Sequence, residues 1–578
     1  CVAYKGPHPR PCTRILSRPS IIILSSQGQA SAASSAKMLR LLLLLLHLVS
    51  ISSATPVEDF PGCVSSMAVT AAQNNITRFY APNTSSFNEI LDSRANNLRY
   101  RTPSTPTPHL IFTPGTYSDV QAAVRCAKNL TLPFRLRSGG HDYEALSYVA
   151  RRDSPFIVID FSRLRRVDVD LPSRTAVVQA GATIGEVYYR IAEKSPRLGF
   201  PAGLYPSLGV GGHITGGGYG GLMRTYGLAV DNVEDVRIVD SNGEILDREA
   251  MGEERFWGIR GGGGGNFGAI LDWTLRLVEV PDRVTVFAVT KTREQGLSDL
   301  VTQWQTVAPA VDEKLFLRVV MKQGNASASG GGKTIAGTFT ALYLGSAAEL
   351  LGVMGQGLPE LGVAAADCQE MSWIESVVHY GGYPAGTPTE VLLQGKYLFR
   401  NAYKAKSDFV RGIIPAAAMD GVWDRMMAEE AALMIWTPFG GKMEQIEETE
   451  TAYPHRRGVK FMIQYVTTWM GGGEEEEERH MEWIRELYGF MGSFVSTSPR
   501  EAYLNYRDLD LGENHKSSGD GDGEAWERSY YRNNTERLMQ VKAVADPDNL
   551  FRHEQSIPLN SGNRADGGAV GAPVGEEN

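Results

Sequence analysis

The sequence predicts an α+β protein with two domains, and three observations lead to that prediction. Its 578 residues exceed what a single hydrophobic core usually holds. In the first half, short helix and strand patterns alternate with closely spaced turns, which indicates a mixed fold. Beyond Pro281 glycine becomes less frequent and longer strand and helix patterns follow, so we place a domain boundary near Pro281.

Helix and strand signals in the first half follow one another at short spacing. Ser118 and Gln121 predict a capping box that opens a helix, and Thr183 and Glu186 predict a second one. Strands are predicted at 134–136 and 156–159, hairpins at 167–179 and 233–246, and a half-buried strand of alternating apolar and polar residues at 271–277.

Longer elements are predicted in the second half of the chain. Strand patterns occur at 315–322, 334–344 and 459–468. The acidic run 474–478 is interpreted as a solvated loop or the start of a helix, because a run of like charges is seldom a binding site.

Composition and charge narrow the class of protein. Apolar residues make up 42% and charged residues 21% of the chain, which favours a folded protein over a disordered one. The 57 basic and 66 acidic side chains give a formal net charge of −9, without the basic excess that a nucleic-acid backbone attracts. We therefore expect no nucleic-acid partner.

The segment that begins at Met38 predicts an export signal. A basic residue, the apolar run 41–46 and the small residues 52–54 follow Met38 in the order of a secretory signal peptide. The apolar run is shorter than the ~20 residues of a membrane-spanning helix, which disfavours a membrane anchor, and an organelle transit peptide is the less favoured alternative. We interpret 1–37 as untranslated or wrongly assigned sequence and 38–54 as the signal, and we expect no membrane span.

Cysteines and glycosylation sequons agree with export. Removing residues 1–54 discards Cys1 and Cys12 and leaves three cysteines, an odd number that allows one disulfide and one spare thiol. Asn-x-Ser/Thr sequons predict glycosylation at Asn75, Asn83, Asn129, Asn325 and Asn533.

Glycines are concentrated in three runs, at 139–140, 209–221 and 261–268. Because glycine has no Cβ, such runs let several stretches of backbone approach one ligand and direct N–H groups towards a diphosphate. Two Gly-x-Gly-x-x-Gly patterns occur, but neither sits on a clear strand-to-helix turn, and a Gly-Lys-Ser/Thr loop is missing, so neither a Rossmann nor a P-loop site is supported. The alternative interpretation of each run is a low-complexity loop.

The order and content of these runs resemble the berberine bridge enzyme-like family of plant flavoproteins. The resemblance spans residues 58–560 in order. Its motifs are Arg137-Ser-Gly-Gly-His141-Asp-Tyr143, Tyr205-Pro-Ser-Leu-Gly-Val-Gly-Gly-His-Ile-Thr-Gly-Gly-Gly-Tyr219, Phe256-Trp-Gly-Ile-Arg260 with its five glycines, Asp367-Cys-Gln-Glu-Met-Ser-Trp, Trp436-Thr-Pro-Phe-Gly-Gly-Lys, Asn505-Tyr-Arg-Asp-Leu-Asp510 and Val544 to Ile557.

The resemblance implies a particular two-domain arrangement. The family has an FAD-binding domain of the vanillyl-alcohol oxidase (PCMH) type, formed by the N-terminal half and a C-terminal segment, and a substrate domain on an antiparallel sheet between them. We accordingly predict 55–284 and 500–560 as the FAD domain, 285–499 as the substrate domain and 561–578 as a disordered tail.

The resemblance also implies how the cysteines pair. The family disulfide maps to Cys63 and Cys126. Cys368 is then the spare thiol, and we interpret it as a small buried apolar residue.

The implied cofactor is a single FAD. His141 matches the residue whose ring nitrogen bonds covalently to the flavin, whereas the second attachment point, a cysteine in the family, is Tyr205 here and cannot form the thioether. We therefore predict one covalent bond and a milder oxidant. A second departure is Ala145, where the family usually has glycine. The other predicted cofactor-binding residues are Arg137, Ser138, Gly139, Gly140, Leu208, Gly209, Gly211, Gly212, Gly216, Gly217, Gly218 and Asn549.

The implied chemistry is hydride transfer from a substrate C–H to the flavin while a base takes the hydroxyl proton. The pocket residues of members that oxidise alcohols match Tyr143, Tyr219, Gln464 and Tyr506, and Tyr506 is the candidate base. A phenol has a pKa near 10, so a base at neutral pH needs a cation or a desolvation pattern that favours phenolate. Many relatives have a lysine where this chain has Met462. No carboxylate stands at 464, which disfavours berberine-type ring closure.

Leu208 matches the position that screens the flavin from oxygen, and a leucine there favours a dehydrogenase over an oxidase. The electron acceptor is O2 for an oxidase, or a quinone-like compound for a dehydrogenase. The leading hypothesis is an enzyme, secreted to the cell wall or alternatively the vacuole, that oxidises a phenylpropanoid alcohol or a sugar. The second hypothesis, motivated by Tyr205 and Met462, is a secreted FAD-binding glycoprotein without turnover. No metal site is predicted.

Overall fold

The computed structural model describes residues 55–67, 78–151, 153–326, 332–397, 399–471, 473–514 and 526–559. The predicted signal at 38–54, the segment 1–37, the sequon at Asn75 and the tail 561–578 lie outside the described residues.

Eighteen strands occur in the described part of the chain. They are β1 (Phe79–Tyr80), β2 (Leu110–Phe112), β3 (Phe134–Arg137), β4 (Ile157–Asp160), β5 (Val167–Asp170), β6 (Thr175–Gln179), β7 (Leu198–Gly199), β8 (Val233–Val239), β9 (Ile245–Leu246), β10 (Ala269–Arg276), β11 (Val278–Glu279), β12 (Val284–Thr292), β13 (Leu315–Asn325), β14 (Lys333–Tyr343), β15 (Gln369–Met371), β16 (Ala402–Val410), β17 (Leu433–Pro438) and β18 (Phe461–Trp469).

Fourteen α-helices accompany them in the same described ranges. They are α1 (Pro56–Met67), α2 (Ser85–Ser93), α3 (Tyr117–Asn129), α4 (Ile184–Lys194), α5 (Val210–Thr215), α6 (Met223–Tyr226), α7 (Arg248–Ile259), α8 (Leu297–Ala310), α9 (Ala347–Gly357), α10 (Trp373–Tyr380), α11 (Ala416–Met427), α12 (Gly473–Met491), α13 (Trp526–Tyr531) and α14 (Thr535–Ala545).

The first half forms two sheets that share one hydrophobic core. In the first sheet, ordered β1-β2-β4-β3, the strands β2, β4 and β3 run parallel, and in the second, ordered β5-β6-β10-β8-β9, all neighbours are antiparallel. The short strands β7 and β11 form a separate antiparallel pair. The parallel strands are almost wholly buried, as expected for a sheet that packed elements cover on both faces.

A seven-stranded antiparallel sheet follows, ordered β15-β12-β14-β13-β17-β18-β16. Its strands come from residues 284–469, and helices α8 and α11 bury Trp304 and Trp423 in a second hydrophobic core beside it. Side chains of α13 and α14, by contrast, join the core of the first half. The predicted two-domain α+β fold is confirmed, and the numerical domain limits stay a prediction.

The disulfide predicted from the resemblance is formed. Cys63 on α1 and Cys126 on α3 are joined with an S–S distance of 2.01 Å, so the N-terminal helix is tied to the helix beneath it. Cys368 is a free thiol and is only partly buried, so it is less enclosed than predicted. In the described ranges, no helix is both long and apolar enough to cross a membrane.

The structure modifies two local predictions and decides between the two alternatives of a third. The capping box of α3 is formed by Thr116 and Asp119, not by Ser118 and Gln121: Thr116 Oγ1 accepts from Asp119 N at 3.2 Å, and Asp119 Oδ2 accepts from Thr116 N at 3.0 Å. Strand β10 is buried on both faces from Ala269 to Trp273, because Asp272 is enclosed by partners rather than by water, whereas Thr274 is half-buried and Arg276 exposed as the predicted alternation requires. The acidic run 474–478 begins helix α12, where its charges favour the positive end of the helix dipole.

Ala145 explains why the family usually has glycine at this position. Its φ is +61°, in the left-handed region, and the residue is fully buried. A residue with a side chain in this region costs about 1–2 kcal/mol of folding free energy. Glycine removes that cost, but it also raises the entropy of the unfolded chain, which offsets part of the gain.

We therefore expect Ala145→Gly to stabilise the protein by about 0.5–1 kcal/mol, measured by urea unfolding. The control is Ala150→Gly, an equally buried alanine outside the left-handed region, which should be destabilising. Equal effects of the two substitutions would contradict this explanation.

Candidate active site

A cavity of about 630 Å³ lies between the loops of the first half and one face of the seven-stranded sheet. All three glycine runs reach it, through 139–140, 209–212 and 263–265. From the sheet, strands β16, β17 and β18 contribute Ala405, Ile435 and Gln464. The structure thus brings together segments more than 300 residues apart around one site.

Nine of the predicted cofactor-binding residues line this cavity. They are Ser138, Gly139, Gly140, His141, Tyr205, Leu208, Gly209, Gly211 and Gly212. Gly139 and Gly209 are needed because their two backbones lie side by side: a Cβ on either one would overlap the backbone nitrogen of the other. Gly140 has φ +68° and packs against the carbonyl of Arg94, so a side chain there is excluded twice.

The other five predicted cofactor residues do not line the cavity, and their part in cofactor binding stays a prediction. Arg137 is fully buried in an ion pair with Asp160. Gly216, Gly217 and Gly218 lie one layer behind, where a Cβ would collide with Asn505, Tyr453 and Ala229 respectively. Asn549, with φ +49°, follows helix α14; its N–H donates to Asp546 O at 3.0 Å, and its Oδ1 is buried without a hydrogen-bond partner in the described residues. Packing accounts for Arg137 and the three glycines.

The cavity has the features of a site for a large polar ligand such as FAD. Gly212 lines it, and a Cβ there would meet no atom within 4 Å, so the backbone faces open space. In the described part of the chain, Asn96 Oδ1 and Ser147 Oγ are buried at the cavity without a hydrogen-bond partner. Buried polar atoms are rarely left unpaired, so these atoms indicate a bound polar group.

His141 is held as a neutral imidazole at the cavity wall. Its Nε2 lies 2.8 Å from Ser207 Oγ. Burial, and secondarily the nearby His213, lowers the pKa of His141 to about 3. An uncharged ring keeps a nitrogen lone pair, which a covalent bond to an electrophilic carbon requires.

Tyr205, which replaces the expected cysteine, links the cavity wall to the segment that contains Phe399. Its hydroxyl accepts a hydrogen bond from Phe399 N at 2.9 Å, and its ring lies edge-on to His141 at 5.5 Å. Tyr397 contacts the other side of the cavity wall: its hydroxyl donates to Gly139 O at 2.7 Å. Phe399 is 70% exposed, so this segment lies at the cavity mouth.

The four predicted catalytic residues form one cluster in the cavity. The hydroxyls of Tyr219 and Tyr506 are hydrogen-bonded to each other. Gln464 Nε2 donates to the Tyr143 hydroxyl at 2.8 Å, and the rings of Tyr143 and Tyr506 stack with centroids 5.2 Å apart. The structure therefore supports the predicted grouping of these side chains.

The environment of Tyr506 determines whether this tyrosine can act as a base. Burial, with Tyr219 and Tyr143 nearby, raises the pKa of Tyr506 well above its ordinary value. Tyr506 is therefore a hydroxyl donor at neutral pH. Met462, where relatives have lysine, is buried in the core and does not line the cavity.

Sequence reasoning missed Arg318 and Tyr380. Arg318 lines the cavity from β13, with its guanidinium carbon 6.0 Å from the centre of the Tyr380 ring. In the described residues, Arg318 Nε and the Tyr380 hydroxyl are buried and have no hydrogen-bond partner. The available signal was a single arginine inside the apolar strand pattern at 315–321.

His213 is a further cavity residue that was not singled out. Its Nε2 accepts a hydrogen bond from Gly203 N at 2.9 Å, which fixes the proton on Nδ1. Burial lowers the pKa of His213 to about 4, so it is neutral. In the described ranges, no group of three or more His, Cys, Asp or Glu side chains is arranged to hold a metal ion.

Comparisons with known proteins agree with this site. Residues 108–248 match the family described as FAD binding domain, and residues 502–558 match the family described as berberine and berberine like. The chain is 50% identical over 511 residues to the monolignol oxidoreductase AtBBE-like 13 of Arabidopsis thaliana, covering 88% of this chain and 95% of that protein.

Two solved structures are similar throughout. BBE-like #28 from Arabidopsis thaliana gives a TM-score of 0.80 at 43% identity and covers 87% of this chain and 100% of that one. Wild-type Phl p 4.0202, a glucose dehydrogenase, gives a TM-score of 0.80 at 38% identity and covers 87% and 99%. The chain therefore binds FAD and belongs to the berberine bridge enzyme-like family of FAD-dependent oxidoreductases.

Proposed function

We propose that the protein is a secreted dehydrogenase that oxidises a phenylpropanoid alcohol with FAD held through His141. The observation that carries the proposal is the cluster of Tyr143, Tyr219, Gln464 and Tyr506 at one end of the cavity. Such a cluster can hold the hydroxyl of an alcohol next to the flavin, which is the role that the family resemblance implies for these four residues.

Apolar side chains on the sheet side of the cavity favour an aromatic substrate over a sugar. Ala405, Leu433, Ile435 and Val466 line it there and can bury an aryl ring, while Arg318, Gln464 and Thr468 of the same sheet offer hydrogen bonds to the hydroxyl of an alcohol or a sugar. The similarity to a monolignol oxidoreductase supports the same choice. A sugar is the second candidate because a structural relative is a glucose dehydrogenase.

Bound FAD supplies the acceptor for the hydride. The residues of this chain handle the proton. Because burial keeps Tyr506 protonated, we propose that Tyr506 donates the hydrogen bond of the tyrosine pair and that Tyr219 Oη, as the phenolate in the reactive form, accepts it. The substrate hydroxyl proton then moves to Tyr219 Oη, and Tyr143, held by Gln464, orients the hydroxyl. This assigns the base role to Tyr219 rather than to Tyr506.

Export is supported by surface features. The sequon asparagines Asn83, Asn129, Asn325 and Asn533 are all exposed, so glycans can be accommodated. The disulfide between Cys63 and Cys126 suits an oxidising compartment. We propose the cell wall as the destination, with the vacuole as the alternative.

The test uses the chain expressed from Thr55 behind a signal sequence in a secreting host. We expect flavin fluorescence to stay with the acid-denatured protein on a gel, and coniferyl alcohol, but not cellobiose, to bleach the visible spectrum without oxygen. Fluorescence that leaves with small molecules would exclude attachment at His141. Bleaching by cellobiose alone would favour a sugar, and no bleaching by either would favour a glycoprotein without turnover.

Leu208 is expected to limit reoxidation by O2. It lines the cavity, and a Cβ on Gly203 would lie 2.6 Å from Leu208 Cδ1, so the leucine packs closely over this loop. Shortening it should open the wall to O2.

We expect Leu208→Val to speed reoxidation of the reduced protein in air by at least about tenfold, equivalent to ~1.4 kcal/mol of barrier. Leu222→Val is the matched control, because Leu222 is buried nearby and does not line the cavity. Rapid reoxidation of the unaltered protein would instead indicate an oxidase.

A further inference from the structure

Behind the catalytic tyrosines lies a group of buried charges, here called the charge cluster, formed by Glu144, Lys404, Lys406, Asp508 and Asp510. The first four are each at most 2% exposed. None of the five lines the cavity, so none can touch FAD or substrate. Four buried charged side chains are unusual in a protein interior and need an explanation.

The contacts make the charge cluster a single connected unit. Lys404 Nζ bridges the carboxylate of Glu144 and Asp508 Oδ1, the latter at 2.7 Å. Lys406 Nζ lies 2.6 Å from Asp508 Oδ2 and 3.0 Å from Asp510 Oδ2. Lys404 is thus the link between the loop that contains Glu144 and the C-terminal segment that contains Asp508.

Each segment that enters the charge cluster also supplies a cavity tyrosine. Strand β16 shows how, because successive side chains of a strand point to opposite faces: Tyr403 and Ala405 face the cavity, while Lys404 and Lys406 face the cluster. In the same way, Tyr143 directly precedes Glu144, and Tyr506 lies two residues before Asp508.

The separations of the tyrosine rings therefore depend on these ion pairs. Tyr143 lies between Tyr506 and Tyr403, with ring centroids 5.2 and 5.3 Å away. The three rings come from segments that the charge cluster holds together, over 360 residues of chain. A shift of one segment by a fraction of an ångström would change the hydrogen-bond geometry of the tyrosine pair.

Electrostatics explain why removal of Lys404 would move these segments. Burial alone would lower the pKa of Lys404, but the carboxylates of Glu144, Asp508 and Asp510 raise it, so the ammonium is charged. Without it, Asp508 would keep Lys406 as its close cation, whereas Glu144 would keep only the more distant Arg99 and Arg151. The ammonium that bridges the two segments that carry Tyr143 and Tyr506 would be lost.

We propose that Lys404 is a positioning residue, which, through Glu144 and Asp508, sets the distance between Tyr143 and Tyr506 in the active site. The kinetic consequence rests on the function proposed above, whereas the geometric consequence does not.

The test compares purified holoenzyme variants Lys404→Met and Glu144→Gln with the unaltered protein, at a temperature well below unfolding. We expect kcat for coniferyl alcohol to fall about ten- to a hundredfold, because a misplacement near 1 Å costs about a hundredfold. Flavin content should not change, since neither residue lines the cavity. Glu144→Gln keeps the shape of the side chain, so it decides the outcome if Lys404→Met does not fold.

The matched control is Glu429→Gln, a buried glutamate outside the charge cluster. Glu429 is 1% exposed and pairs with Arg479 at 2.8 Å, and neither residue lines the cavity or lies on a segment that supplies a cavity tyrosine. We expect this variant to lose stability and keep kcat. A fall of kcat in Glu429→Gln equal to that in the cluster variants, or a folded cluster variant with unchanged kcat, would overturn the proposal.

A crystal structure of Glu144→Gln gives a readout without turnover. We expect the Tyr143–Tyr506 ring separation to lengthen from 5.2 Å and the Gln464–Tyr143 hydrogen bond to lengthen from 2.8 Å. Unchanged distances would overturn the proposal even if activity fell. Changed distances in a protein that oxidises no alcohol would uphold the positioning role and reject the proposed substrate class.

Discussion

Tyr219→Phe is expected to lower kcat for coniferyl alcohol by about 10²- to 10⁴-fold, the range that a positioned general base contributes. In the proposed reaction Tyr219 Oη accepts the proton of the substrate hydroxyl. Tyr506 does not, because burial and its neighbours keep it protonated as a hydrogen-bond donor. Stopped-flow reduction of the flavin without oxygen measures this step directly, without interference from reoxidation.

Tyr506→Phe is the informative comparison. It removes the hydrogen bond to Tyr219 Oη but leaves the acceptor in place, so the expected loss is about 10- to 100-fold, as for a hydrogen bond to a charged group. A larger loss in Tyr506→Phe than in Tyr219→Phe would return the base role to Tyr506.

Tyr143→Phe separates orientation from proton transfer. The Tyr143 hydroxyl accepts from Gln464 at 2.8 Å and is not bonded to the tyrosine pair. We expect a smaller loss of kcat and no movement of the pH profile.

Motifs formed by residues close together in the chain were predictable from the sequence. The grouping of the four catalytic side chains in one site was also predictable, because the resemblance implies it. The Thr183–Glu186 capping box and the hairpin at 167–179 follow from residues a few positions apart, and the structure confirms both. The capping box of α3 was displaced by two residues because Asp119 can act at the third position as glutamate does, and it also pairs with Arg78 at 2.6 Å. Sequence alone does not rank such close alternatives.

Contacts between distant segments were not predictable from the same patterns. Arg318 reaches the cavity only because β13 pairs with β14 and β17 in one sheet, which places this residue on the cavity face. The charge cluster likewise joins residues from 144 to 510. A linear sequence shows the charges but not which of them share a buried volume.

Arg137 lies inside a cofactor motif, and its contacts give it a structural role. Its side chain is fully buried beneath the loop, with Asp160 as its ion-pair partner. The guanidinium also donates to Leu91 O at 2.8 Å and Ile90 O at 2.9 Å, near the end of α2. Ile90 O also accepts from Ser93 Oγ at 2.8 Å, and the guanidinium contacts join β3 to the last turn of α2.

Arg137→Met is therefore expected to destabilise the protein by about 3–5 kcal/mol, the cost of leaving one partner of a buried ion pair uncompensated. Urea unfolding followed by circular dichroism measures the loss. The control is Arg166→Met, whose exposed pair with Asp168 should contribute no more than about 1 kcal/mol. Normal stability with reduced flavin content would show that Arg137 holds the cofactor after all.

The pH dependence distinguishes the ion pair from a general packing defect. Burial alone would raise the pKa of Asp160, but Arg137, Arg94 and Ser162 hold it below its usual value. A lowered pKa stabilises the fold above the unfolded value near 4, and this stability is lost as the pH falls through the folded value. In Arg137→Met the burial effect prevails, so Asp160 takes up a proton more readily. The stability difference between the unaltered protein and the variant should thus be largest near pH 7 and shrink as the pH falls, first as Asp160 is protonated in the folded variant and last as it is protonated in the folded unaltered protein. A packing defect would give the same difference at every pH.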